Sequence, residues 1–126
     1  PGEDAILPAA LARGVEPWEE FLGIARDDRI PSDTREKAAI WLGRAAGERM
    51  AGQVEALASD EVVDLPVREA ALYALSELND VDAGITALLR IARTSPSIRI
   101  RERALFWLAE TGDPRALALF EEILVR

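Results

Sequence analysis

Arg35-Glu36-Lys37-Ala38-Ala39-Ile40-Trp41-Leu42, Arg68-Glu69-Ala70-Ala71-Leu72-Tyr73-Ala74-Leu75 and Arg101-Glu102-Arg103-Ala104-Leu105-Phe106-Trp107-Leu108 align without gaps, at a constant step from Arg35 to Arg68 to Arg101. Arg, Glu, Ala and Leu recur at the first, second, fourth and eighth positions of all three. Self-similarity at a fixed period of about 20 to 50 residues is the mark of a repeat array, in which each unit buries its apolar face only by stacking on the next. A second series interleaves with the first at nearly the same step: Phe21, Val54 and Leu88; Ile24, Leu57, Ile91 and Leu124; Ala25, Ala58, Ala92 and Val125. Two interleaved series imply two elements per repeat.

Both series carry helical spacing. Ala38, Trp41, Leu42 and Ala45 fall at i, i+3, i+4 and i+7, and Leu88, Ile91 and Ala92 repeat the start of that pattern, so each segment presents one apolar stripe. No stretch sustains the alternation of a strand. Gly47, Asn79 and Gly112 follow the Arg-Glu segments as residues that tolerate the left-handed conformation closing a helix. Asp113-Pro114, and less completely Glu16-Pro17 and Leu65-Pro66, open segments with a cap or an early proline. Helices are expected over 4–13, 16–28, 32–46, 49–60, 66–78, 81–94, 98–111 and 113–125. The expected core holds Trp18, Phe21, Ile24, Leu42, Val54, Leu57, Leu72, Leu75, Leu88, Ile91, Leu105, Leu108, Phe120 and Leu124. The last helix is expected to cap the array by packing Leu117, Phe120 and Leu124 inward while Glu121 and Glu122 face water.

Composition bounds the chemistry. The 126 residues suit one domain, are 49% hydrophobic and 30% charged, and carry a net charge of −8, which argues against a grip on phosphate backbones or anionic lipid. The longest apolar runs, Ala70–Leu75 and Ala104–Ala109, are far shorter than the roughly 20 residues a membrane span needs. With no His and no Cys, neither a Ser-His-Asp nor a Cys-His nucleophile pair can form, nor a zinc site of the usual ligands. The acidic turns Asp60, Glu61, Asp64 and Asp27, Asp28, Asp33 do not match the twelve-residue calcium loop with its central glycine. No catalytic residue, metal or cofactor is therefore assigned. The missing cysteines suit a reducing cytosol or a disulfide-free periplasm, so the compartment stays open with the cytoplasm as default; a monomer is the default state. The start at Pro1 and the end within a helical pattern suggest a piece of a longer protein.

Val67-Arg68-Glu69-Ala70-Ala71-Leu72 with Leu75, and Leu108 through Thr111-Gly112-Asp113-Pro114-Arg115-Ala116, resemble the HEAT repeat, in which a helix, a short turn and a second helix beginning Val-Arg stack into a solenoid. Thr34 and Ile100 stand where Val is usual, and the turn 60–66 is longer and more acidic than typical. The resemblance, which includes bacterial HEAT-repeat proteins of unassigned function, implies an all-α, right-handed α-solenoid of about eight antiparallel helices in one domain. Repeats fall at about 16–47, 48–79 and 80–112, with a terminal helix at 113–126 and a partial preceding repeat at 4–13. It also implies that the Val-Arg helices line the concave side. Such solenoids serve as scaffolds and adaptors and occasionally as enzymes.

On that side the stripe leaves Ile40, Tyr73 and Phe106 at one equivalent position, with Trp41 and Trp107 beside them. An aromatic ridge of this kind anchors partners, unless neighbouring repeats pack over the rings. Arg35, Arg68 and Arg101 beside Glu36, Glu69 and Glu102 form ladders that either set the register of the stack or rim a peptide site. Residues 1–80 hold 17 acids and 8 bases, whereas 81–126 hold 6 and 7. Within the second part Arg90, Arg93, Arg99, Arg101 and Arg103 either receive an acidic segment or pair with the turn Asp60, Glu61 and Asp64. The reading is a non-catalytic module that binds a protein or peptide through Ile40, Trp41, Glu69, Tyr73, Arg103, Phe106, Trp107 and Glu110. The alternative is a structural spacer. An enzyme of the HEAT-like glycosylase or lyase type is the remoter alternative, lacking the basic field that DNA glycosylases need.

Overall fold

The computed structural model describes residues 17–46 and 51–125. The described residues form seven α-helices and no strand: α1 (Pro17–Arg26), α2 (Ser32–Ala46), α3 (Ala51–Ser59), α4 (Leu65–Ser76), α5 (Val81–Thr94), α6 (Ile98–Thr111) and α7 (Pro114–Val125). The expected helix at 4–13, the cap Gly47 and the Trp18 side chain lie outside the described residues.

Local signals explain most boundaries. Asp80 and Ser97 cap α5 and α6 by accepting from the Ala83 and Ile100 amides, satisfying donors that the first helical turn leaves unpaired. Gly112 closes α6 in the left-handed region at φ 66°, as expected of a glycine that carries no Cβ penalty there. Asn79 does not do the same for α4, because no non-glycine residue among those described has positive φ. That helix instead tightens at Glu77 and Leu78, whose amides donate to the Ala74 and Leu75 carbonyls, and buries Leu78.

The chain is an α-solenoid of stacked antiparallel pairs. Odd-numbered helices form one layer and even-numbered helices the other; α1 packs on α2, α3 on α4 and α5 on α6, while α2, α4 and α6 pack on one another in turn. Small residues permit close stacking in the even layer. A Cβ on Gly43 of α2 would lie 2.8 Å from the Ala74 Cβ of α4. Between layers, a Cβ on Gly84 of α5 would fall 2.2 Å from the Leu75 carbonyl oxygen, so even alanine there forces the helices apart. The core runs through Phe21, Leu42, Val54, Leu57, Leu72, Leu75, Leu88, Ile91 and Leu108, with Ile24, Leu105 and Phe120 half-buried against it.

Leu124 is a correction. It is exposed, as is Leu117, and α7 buries Ala116 and Leu119 instead. Helices α5 and α7 start in the same register, with the Gly84 and Leu117 amides donating to the Asp80 and Asp113 carbonyls, so the exposure of Leu124 follows from packing: α5 is enclosed by α3, α4 and α6, whereas α7 rests chiefly on α6. The last helix therefore does not cap the stack; it leaves Leu117, Ile123, Leu124 and Val125 in water.

Candidate interaction face

The even-numbered helices begin with an arginine that faces inward. Arg35 and Arg68 are only 2% and 4% exposed, and their Nε groups donate to the Ala25 and Ala58 carbonyls at 3.0 Å. Each stitches an even helix to the end of the preceding odd one. Arg35 also reaches the next repeat, its Nη1 lying 2.8 Å from Asp64 Oδ2. Arg101 breaks the series and donates to the Ser95 carbonyl. A buried guanidinium is tolerated only when its donors find such acceptors.

One turn further along, the same helices present large side chains to solvent. Tyr73 of α4 and Trp107 of α6 meet with ring centroids 5.2 Å apart, and Trp107 meets Phe106 edge-on at 4.8 Å. Ile40 and Trp41 extend this strip onto α2, where both are half-buried. Phe106 remains 46% exposed. Neighbouring repeats thus cover the rings in part and leave a face of each accessible. Guanidinium groups border the strip: Arg44 Cζ stands 5.8 Å from the Trp41 ring and Arg103 Cζ 5.7 Å from the Phe106 ring, distances at which a cation is drawn to an aromatic face.

Two open hollows flank Tyr73. One of about 370 Å³ is bounded by Ile40, Glu69, Tyr73, Arg103 and Trp107; the other, of about 310 Å³, by Lys37, Ile40, Trp41, Arg44 and Tyr73. Glu69 is fixed at the edge of the first by two arginines, Arg99 Nε at 2.8 Å and Arg103 Nε at 3.3 Å. Its hydrogen bond holds the Arg99 guanidinium charged even more firmly than usual. Tyr73 Oη donates to Glu77 Oε1 at 2.8 Å, and Arg44 Nη2 stands 3.7 Å from the same oxygen.

The structure brings Ile40, Trp41, Glu69, Tyr73, Arg103, Phe106 and Trp107 together. Glu110 is exposed near the end of α6 and lines neither hollow. Sequence reading missed Arg44, Glu77 and Lys37 as border residues. The repeat contained the first two: Arg44, Glu77 and Glu110 hold equivalent positions in the three Arg-Glu helices and form successive rungs.

The basic cluster is engaged, though by other partners than the turn 60–64. Arg90 binds Glu55, Arg93 binds Glu122, and Arg99 and Arg103 share Glu69. The turn faces the repeat before it, where Asp60 accepts from Arg26 and Asp64 from Arg35. Where carboxyl pKa values move, they move down: Arg29, Arg26 and Arg115 hold Asp27, Asp60 and Asp113 below the usual carboxylate range by hydrogen bonding. That direction favours permanent charge over proton transfer near neutrality.

Residues 67–94 and 100–126 match the family model described as PBS lyase HEAT-like repeat. The two matches begin at Val67 and Ile100, equivalent positions on successive even helices. Neither the curated proteins nor the solved structures yield a match.

Proposed function

From the match of residues 67–94 and 100–126 to the HEAT-like repeat, we propose that this chain is a non-catalytic interaction module that holds a peptide, helix or domain of another protein on the even-helix face, the side that the resemblance makes concave. The observation that carries this reading is the partly exposed aromatic strip Tyr73, Trp107 and Phe106, continued by Ile40 and Trp41 across three successive helices. Large rings in shallow hollows provide apolar contact area with little side-chain entropy to lose. Glu69, Arg103 and Glu110 supply the polar rim, which orients a partner more than it adds affinity. A bound segment would seat an apolar side chain between Ile40, Tyr73 and Trp107 and place acidic groups near Arg44 and Arg103.

Affinity capture from the native host tests this, with wild type compared against a Tyr73→Ala, Phe106→Ala double variant. Loss of a specific protein from the variant's captures, with the helical circular dichroism signal retained, is the expected result. Identical captures would discard this face and favour the spacer reading, to which the cross-repeat ion pairs Arg26 to Asp60, Glu55 to Arg90 and Asp82 to Arg115 already lend a structural rationale.

A further inference from the structure

A glutamate follows the inward arginine of each even helix: Glu36, Glu69 and Glu102. On α4 that glutamate is doubly held, because Arg99 and Arg103 of α6 reach back to it at 2.8 Å and 3.3 Å. One repeat earlier the holders are missing. The positions of α4 equivalent to Arg99 and Arg103 are Pro66 and Ala70, and neither has a side-chain donor. Glu36 is half-buried on α2 and accepts from the Ser32 hydroxyl of its own helix at 3.1 Å; among the described residues it forms no ion pair.

The same two residues open the space in front of Glu36. Pro66 and Ala70 are short where guanidinium groups fill the next rung, and the hollow of about 370 Å³ beside Tyr73 is bounded by Glu36, Ile40, Pro66 and Ala70. Among the described residues its walls come from α2, α4 and α6, three helices that follow one another within the stack. A half-buried carboxylate with no cation has lost part of its hydration without compensation. Arg99 and Arg103 do not supply that cation: both are bound to Glu69, and Arg99 is drawn to Glu102 as well.

We infer that this hollow takes an arginine side chain of the partner protein, which completes the rung that Pro66 and Ala70 leave open. The inference rests on the reading of the even-helix face as an interaction surface and names the chemistry of what that face holds. The guanidinium meets Glu36 as Arg99 and Arg103 meet Glu69, in a charge-assisted hydrogen bond suited to its planar fork. Its aliphatic stem lies on Ile40 and Ala70, beside the Tyr73 ring. An acidic side chain does not suit this position, because the charge that lacks a counterpart there is itself a carboxylate.

The probe is N-acetylarginine amide, titrated into the whole chain and followed by heteronuclear NMR, with N-acetylcitrulline amide as its uncharged twin. Saturable shifts are expected at the Ala70 and Tyr73 amides and the Trp107 indole, with the citrulline compound binding about tenfold more weakly. Glu36→Gln keeps an acceptor for Ser32 and should weaken arginine binding by a similar factor. Pro66→Arg is an exposed change that places a guanidinium where Arg99 stands one repeat later; it should block the probe while the thermal melt stays unchanged or rises. Citrulline binding as tightly as arginine, indifference to either variant, or no shifts at all overturns the inference. Host captures that still depend on Tyr73 and Phe106 in that event would keep the interaction face and discard only the arginine.

Discussion

Helices α5 and α7 occupy the same layer and carry comparable apolar faces, yet one is sealed and the other is open. Ile91 is 2% exposed, while Leu124, its counterpart on α7, is 84% exposed; Ala92 and Val125 stand at 7% and 87%. Helix α5 is enclosed by α3, α4 and α6, whereas α7 rests chiefly on α6. In a solenoid each unit contacts only its neighbours, so an amphipathic stripe becomes core or surface according to what stacks on it. A second comparison teaches the same lesson for charge. Arg35 has Asp64 above it, but the equivalent of Asp64 one repeat later is Ser97, whose hydroxyl is occupied in capping α6. Among the described residues, the Nη2 of Arg68 is left buried without a hydrogen-bond partner.

The largest expected effect divides α5 from α7. Leu88→Ala should destabilise the chain by about 3 kcal/mol through the lost transfer energy and the cavity left behind, while Leu124→Ala should cost less than about 0.5 kcal/mol. Urea denaturation of both variants measures this; similar losses would mean that α7 is covered in solution. A smaller effect is expected from Ser97→Asp, which supplies Arg68 with the carboxylate that Arg35 already has. It should stabilise by about 0.5 to 1 kcal/mol, seen as a rise in Tm, and should give no gain in an Arg68→Met background.

The smallest effect concerns pH. Asp60 and Asp113 have folded pKa values depressed below their ordinary value, so each contributes stability that is fully present above about pH 4 and is lost as pH falls through the depressed value. Asp60 pairs across repeats with Arg26, whereas Asp113 pairs with Arg115 two residues away. A local pair persists partly in the unfolded chain and so shifts stability less. Comparing Tm at pH 7 and pH 3, Asp60→Asn should flatten the difference more than Asp113→Asn. The reverse order would show that the turn 60–64 is not bound to α1 in solution.

Helix positions were readable because i, i+3, i+4 spacing, the Asp113-Pro114 start and the Gly112 stop are local properties. Equivalence among Ile40, Tyr73 and Phe106 was readable from the constant step between repeats, and so was their convergence on one face. The edge-on meeting of Phe106 with Trp107 was not, since it depends on rotamers chosen by packing. Nor was the partner of any arginine in the basic cluster. The turn 60–64 and the acids Glu55 and Glu69 were equally available by sequence distance, and only the direction in which each helix points separates them.

The sequence by itself determined a two-helix unit, its length, the stops between helices and the positions that repeat. Those follow from backbone sterics and from the need of each segment to bury one stripe. The tertiary structure alone decided which face of α7 is covered, the burial of Arg35 and Arg68 among carbonyls, and which carboxylate each arginine of the basic cluster meets. These depend on which side chains occupy the same space, and a linear pattern carries no information about a neighbour until the chain has folded against it.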